Sequence, residues 1–423
     1  MSKPRARDLG LPFPGRTGPL NAITDVPGLQ VGFCTLTDPD RDMRTGVTAV
    51  LPFPGRTPHP VPAGFYSLNG NGEMTGTHWI DHAGYFLGPI LISNTHAIGA
   101  CHTAATRWMI DTYADHFEGM AWGMPVVAET YDGVLNDINA MHVQPEHALA
   151  ALADLKSGPV AEGNVGGGNG MIAYEFKAGT GTASRLVTIA GQTYTVGVLV
   201  QATHGRRPWL TVLGQPVGRL MPEGAFRKTD LGSIITLVAT DAPISPIYLQ
   251  ALARRASLGV ARGGTPGGNS SGDLFLAFST ANPGLMPTDD APIITRRELN
   301  GELIDPIYLA AVEATEEAII NALVAADSAT AVKPRGTVVH AIDTHRLAAL
   351  FAAQAPFPPA PAQVEITGEG KTDAHRHPAA RRRRLAPLRR RQQAARPARG
   401  QAAPPPCRRR RAGGFRGPVS GSG

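Results

Sequence analysis

An α/β fold is what this chain predicts, and three observations carry that expectation. Short apolar runs closed by turn residues read as strands. Two long segments that open on Ser-Pro and Asp-Pro and keep a helical apolar period read as helices. The two kinds alternate without an internal linker before about residue 352, so they belong to one large unit. At 423 residues the chain can bury a sizeable core, and 42% hydrophobic against 17% charged residues is a globular balance. The 49 glycines and 37 prolines exceed ordinary usage and point to many tight turns.

In chain order, residues 1–25 read as an irregular arm. "TGVTAVLP" (45–52) and "PILISNT" (89–95) read as short strands, and "YSLNGNGEMTGT" (66–77) as a shaped loop too rich in Gly and Asn for regular structure. A helix is expected from Pro145 to Leu155, with Ala148, Leu149, Leu152 and Leu155 as its apolar stripe and Gly158 closing it. The glycine-dense "EGNVGGGNG" (162–170) precedes two strands, "YTVGVLVQA" (194–202) and "SIITLVATDA" (233–242). The helix "SPIYLQALARRASLG" starts with Ser245 as N-cap and Pro246 at its first position and ends at Gly259. A second, Asp305–Ala326, shows one buried face through Ile319 and Leu323.

The formal charge of +6 hides a division. Residues 371–423 hold fifteen arginines and one lysine against one aspartate, a net of +15, so residues 1–370 carry −9. Residues 353–423, rich in Pro, Ala and Arg, are expected to stay unfolded; such a tail is either an uninformative extension or an arm that binds polyanions weakly. "MSKPRARDLGLPFPG" lacks the apolar core of a signal peptide, and no stretch has the length of a membrane span. Cys34, Cys101 and Cys407 form no CxxC pair or disulfide framework, so a reducing, cytoplasmic setting is expected.

In "TDLGSIITLVATDAP" (229–243) a hydroxyl stands at the first position of an apolar strand, directly after a glycine. Serine at a strand end often does no more than satisfy a backbone group. Here Gly232 leaves its carbonyl unguarded, Ile234, Ile235, Leu237 and Val238 anchor Ser233 at a core edge, and the preceding "FRKTD" is polar and expected to be exposed. Those are the needs of a nucleophile made by self-cleavage. Attack of the Ser233 hydroxyl on Gly232 would release a chain whose first residue carries both a hydroxyl and an α-amine. With an ordinary pKa of about 7.7–8.0, that amine can act as the base.

Eight blocks carry a resemblance: "MRTGVTAVLP" (43–52), "LNGNGEMTGTHWI" (68–80), "PILISNTHAIG" (89–99), "PVVAETYDGVLNDI" (125–138), "EGNVGGGNGMIAYEFKAGTGTASR" (162–185), "VGVLVQATHG" (196–205), "GSIITLVATDAP" (232–243) and "GGTPGGNSSGDLFLAFSTAN" (263–282). In this order they resemble the self-processing serine aminopeptidases that include L-aminopeptidase D-esterase/amidases and β-peptidyl aminopeptidases. The likeness runs from about residue 12 to 352. It implies a four-layer α/β/β/α sandwich like that of N-terminal-nucleophile hydrolases but differently connected. It implies a peptidase domain over 1–352, cut between Gly232 and Ser233 into chains of 232 and 191 residues that stay together, commonly as a tetramer of cleaved pairs. Substrates would be small peptides, amides or esters with a free N-terminal amine, and no metal or organic cofactor is implied.

By the same resemblance Ser233 is the nucleophile, with Ser271 and Asp273 of "SSGD" beside it; Asp273 would stabilise the ammonium of the protonated amine. Glu129 would receive the substrate's α-ammonium, and Tyr131, two residues on, would donate to the oxyanion or place the nucleophile. Asp132 and Asp137 receive no role. Where the family typically has asparagine for the oxyanion hole, this chain has Thr203, whose shorter hydroxyl can turn to a local carbonyl instead. Loss of such a donor costs roughly 2.7–4 kcal/mol, unless a backbone N–H takes over.

Two other clusters are weaker. His96, Cys101 and His102 lack the spacing of a dependable metal site. "GNVGGGNG" lacks the GK[ST] ending of a phosphate loop, and close chain passage explains it better. Two alternatives remain at this point: an acyltransferase with the same nucleophile, in which an amine resolves the acyl-enzyme, and a non-catalytic protein whose basic arm binds nucleic acid.

Overall fold

A computed structural model describes residues 3–352 apart from residues 228 and 231. The chain divides into two units, Met1–Gly370 and Lys371–Gly423. Every described residue belongs to the first, so the basic tail, with Cys407, lies outside the described residues.

The strands are β1 (Gln30–Asp38), β2 (Met43–Leu51), β3 (Val61–Ser67), β4 (Tyr85–Phe86), β5 (Ile90–Asn94), β6 (Val126–Thr130), β7 (Ile172–Ala173), β8 (Phe176–Lys177), β9 (Thr180–Ile189), β10 (Gln192–Ala202), β11 (Ser233–Thr240), β12 (Gly272–Ser279), β13 (Ala329–Val332) and β14 (Arg335–Val339). The α-helices are α1 (Thr77–Ala83), α2 (Ile98–Thr112), α3 (Ala114–Phe117), α4 (Pro145–Ala153), α5 (Val217–Leu220), α6 (Pro246–Arg262), α7 (Asp305–Val324) and α8 (Thr344–Ala352).

Two sheets stack face to face. One has the order β1-β2-β5-β6, the other β4-β3-β12-β11-β10-β9. Between them lies an apolar layer in which Val50, Ile90, Ile92, Val126 and Ala128 meet Leu199, Ile235, Leu237, Leu274, Leu276 and Phe278. The outer face of the four-stranded sheet packs Val47, Ala49, Leu91 and Val127 against α2 and α4. The outer face of the six-stranded sheet packs Val196, Val198, Val200, Val238 and Phe275 against α6 and α7. The layers are therefore α/β/β/α, as expected. Every residue of β11 and β12 is buried, because helices cover one side of their sheet and strands the other.

Several local expectations need correction. Gly259 does not end α6, which runs on to Arg262. A Cβ at Gly259 would lie 2.6 Å from the Val312 carbonyl, so this glycine permits close approach of α6 and α7. Ser245 occupies the N-cap position, but its hydroxyl makes no capping bond and is buried without a partner. Helix α7 is buried nearly all round, not on one face. Its Glu317 reconciles charge with burial by accepting from Arg185 Nη2 at 2.7 Å and from Arg7 Nε at 2.9 Å, which also ties the N-terminal arm to the core. The expected loop 66–77 is shorter than read: Tyr66 and Ser67 belong to β3, and Thr77 opens α1.

Candidate active site

Strand register builds the nucleophilic side. β11 and β12 run parallel, with Ser233 opposite Gly272 and Ile234 opposite Asp273. The Gly272 N–H donates to the Gly232 carbonyl at 3.2 Å, and the Thr203 N–H to the Ser233 carbonyl at 2.9 Å. Ser233 is 4% exposed, and its Oγ donates to the Gly232 carbonyl at 2.8 Å. The hydroxyl and the peptide it would attack are therefore already together in the uncut chain.

Ser271 and Asp273 meet beside this pair, with Ser271 Oγ donating to Asp273 Oδ1 at 2.6 Å. Asn69 completes the cluster: its Nδ2 donates to Asp273 Oδ2 at 2.9 Å, and its Oδ1 accepts from the Asp273 N–H at 2.8 Å. Burial pushes the Asp273 carboxyl up to about 6, against the opposing pull of the Ser271 and Asn69 hydrogen bonds; the nearby Asp230 charge adds to the rise.

Glu129 lies in the other sheet, opposite Ser93 in the parallel β5–β6 pair. Its Oε2 accepts from Thr95 Oγ1 and its Oε1 from the Glu73 N–H at 3.0 Å. It is 3% exposed, and burial raises its pKa more than these two donors lower it. The loop 68–76 spans the gap to the nucleophile. A Cβ on Gly72 would stand 3.3 Å from Glu129 Oε1 and 3.2 Å from the Gly272 Cα, so a glycine lets the two sides come close. The result is a carboxylate near a hydroxyl cluster, in a place too buried for a cation to arrive without pairing.

Two residues expected at the site are held differently from the expectation, although the Tyr131 phenol lies near Arg227 in the segment before the cut. Tyr131 stands past the end of β6 at 41% exposure, its hydroxyl folded over Gly133, where an added Cβ would lie 2.2 Å from it. The period-two pattern that would align it with Glu129 stops with the strand at Thr130. Thr203 spends its hydroxyl on Ile172, donating to the carbonyl and accepting from the N–H, both at 3.2 Å. Its side chain has turned to the local backbone, and it is the Gly272 N–H that faces the carbonyl under attack. The segment before the cut is not uniformly exposed either, because Asp230 is buried.

The remaining clusters are absorbed by the fold. His96 Nδ1 pairs with the Ile138 carbonyl at 3.1 Å, while Cys101 is buried in α2 with its thiol pushed up to about 12. Among the described residues no three His, Cys, Asp or Glu side chains converge. Gly166 and Gly167 donate their N–H groups to Thr35 and Thr48, so the glycine stretch serves close packing.

Sequence reasoning missed Asn69, Thr95, the Gly272 N–H and Asp230. Asn69 lies in the loop recognised as shaped, but its partner is 204 residues away.

Residues 21–337 match the family model described as Peptidase family S58. The chain is 50% identical to a β-peptidyl aminopeptidase, BapA, of Sphingosinicella microcystinivorans, over 78% of this chain and 87% of that one. Among solved structures it resembles the L-aminopeptidase D-Ala-esterase/amidase of Ochrobactrum anthropi, described as a prototype serine aminopeptidase and a variant of the Ntn hydrolase fold. That match has a TM-score of 0.79 and 54% identity, covering 83% of this chain and 98% of that one. A β-aminopeptidase of Burkholderia sp. matches with a TM-score of 0.77 and 44% identity, covering 84% and 100%.

Proposed function

The chain belongs to peptidase family S58, and from that premise we propose how this serine aminopeptidase works and on what. It cuts itself between Gly232 and Ser233. Ser233 Oγ adds to the Gly232 carbonyl carbon, the C–N bond breaks, and the hydroxyl proton ends on the freed Ser233 nitrogen. Water then hydrolyses the ester, leaving the Gly232 carboxylate and restoring the Ser233 hydroxyl.

In the mature enzyme the Ser233 α-amine takes the proton from Oγ as Oγ attacks the substrate carbonyl. The same proton passes to the leaving amine or alcohol, and the acyl-enzyme is resolved by a water that the amine deprotonates. Asp273, held by Ser271 and Asn69, stabilises the transient ammonium. The Gly272 N–H supplies the oxyanion donor that the Thr203 side chain does not.

Glu129 receives the substrate's α-ammonium, which restricts action to free N-termini. Small peptides, amides and esters are the substrates, β-aminoacyl peptides among them, in keeping with the β-peptidyl relative. The active form is a homo-oligomer of cleaved pairs, tetrameric by family likeness. A cytoplasmic setting fits the free Cys34 and Cys101. Residues 1–352 form the peptidase domain, a reading supported by the extent of the family match.

One observation carries this reading: Ser233, the first residue of a buried strand, has its hydroxyl on the Gly232 carbonyl while the Ser271–Asp273 pair stands on the adjoining strand. Intact mass and N-terminal sequencing of purified protein test it. Two fragments, one beginning at Ser233, are expected; a single full-length species with aminopeptidase activity overturns it.

A further inference from the structure

The scissile link is tethered on both sides to one stretch of chain, residues 203–205. Downstream, the Thr203 N–H donates to the Ser233 carbonyl at 2.9 Å. Upstream, the tether is a side chain: Asp230 Oδ1 accepts from the Gly205 N–H at 3.2 Å and from the Gly232 N–H at 3.1 Å. The second contact alone would be an ordinary local turn between an aspartate and the N–H two residues on. The first reaches 25 residues away, to the segment just beyond the end of β10.

This carboxylate is an expensive choice. Asp230 is 8% exposed, its Oδ2 is buried without a hydrogen-bond partner, and it lies near the Asp273 charge. Burial raises its pKa above the usual carboxylate range, against the opposing pull of the Gly232 and Gly205 N–H groups and of Arg227 and Arg206. Gly232 is tightly seated as well, since a Cβ there would lie 2.3 Å from the Thr203 carbonyl and 2.4 Å from the His204 Cα.

We propose that Asp230 is a positioning residue for self-cleavage. Its carboxylate grips the Gly232 N–H and anchors it to Gly205, so that the Gly232 carbonyl is held towards the Ser233 hydroxyl and the Gly272 N–H. The inference rests on the reading that the chain cuts itself between Gly232 and Ser233. The downstream tether is backbone and tolerates most substitutions; the upstream tether is one side chain, and its loss lets the carbonyl swing away from the attacking oxygen. Small misplacements of a reacting group are costly to rate.

The test follows appearance of the Ser233 terminus by intact mass during cell-free synthesis of the full chain. Asp230→Ala is expected to slow cutting about 10- to 100-fold. Asp230→Asn, which keeps the volume and an acceptor oxygen, is expected to recover much of the rate. For both variants, turnover per cut chain should fall far less than the cutting rate, a split that general loss of structure would not produce. Should Asp230→Ala not fold, Asp230→Leu, which fills the space without an acceptor, takes its place in the comparison with Asn. Cutting at the parent rate without the acceptor, or Asn no faster than the acceptor-free variant, overturns the proposal while the self-cleavage reading stands. A parent chain that never cuts removes both.

Discussion

The two sides of the site are built by different means. Ser233, Gly272 and Asp273 lie in one sheet, where parallel register sets their spacing through backbone hydrogen bonds. Glu129 lies in the other sheet and is joined to them by the loop 68–76, through Asn69 to Asp273 and through the Glu73 N–H to Glu129. An isolated bridge between Met74 and Ala128 docks that loop onto β6. The Ser233 hydroxyl and the Gly232 carbonyl are thus fixed by strands that the core already requires, whereas the Asp273 and Glu129 carboxylates take hydrogen-bond partners from a loop and a few side chains. The Ser233–Gly232 pair is accordingly the more robust element, and the loop-held carboxylates the more easily altered ones.

The strongest break in this comparison is Ser233→Ala. It should leave the chain whole by intact mass and lower kcat/KM by about ten-thousand-fold or more. Glu129→Gln should act on the other side. The loss of kcat/KM for free-amine substrates is expected to be roughly 30- to 1000-fold, from loss of a buried charge partner. The parent's preference for a free over an N-acetylated terminus should largely disappear, measured on matched anilides. A Glu129→Gln enzyme that keeps the preference removes the assigned role.

Asp273 sharpens the contrast through pH. Above its raised pKa of about 6 the carboxylate is ionised and accepts from Ser271 and Asn69; below it, protonation removes the charge that is proposed to steady the Ser233 ammonium. The new ammonium of the cut enzyme draws this pKa down. Turnover should therefore fall with acid in two stages: about tenfold per pH unit once the Ser233 amine, the base, is protonated, and more steeply at or below about pH 6 as Asp273 is protonated too. Asp273→Asn should lower the plateau and remove the second stage while the first remains; a second stage that survives the substitution belongs to another group.

The smallest effect on rate is expected at Thr203. Because its hydroxyl is engaged by Ile172, Thr203→Val should change kcat within about threefold while costing roughly 1–2 kcal/mol of stability in denaturant melts. A hundredfold fall in kcat with unchanged stability would return the hydroxyl to the oxyanion.

Much of the fold is legible in the sequence. Apolar runs marked β2, β5, β10 and β11 to within a few residues, and Pro at the first turn located the starts of α4 and α6. The unusual junction at Gly232–Ser233 marks the proposed nucleophile, and the family blocks point to Ser271, Asp273 and Glu129 as its proposed partners. Gly259 reads as a helix stop but lies at a helix crossing, because the two kinds of glycine look alike in one dimension. The alternation that would align Tyr131 with Glu129 does not reach it, because the strand ends at Thr130.

Taken by itself, the sequence determined the α/β class, four of the strands, three of the helices and the hydroxyl at the head of β11, since these follow from local periodicity and turn chemistry. Tertiary structure alone decided which donors and acceptors meet. Asn69 reaches Asp273, Gly205 reaches Asp230, and Thr203 turns to Ile172. Hydrogen bonds act over about 3 Å in space, and the pairs they join lie 25 to 204 residues apart in the chain.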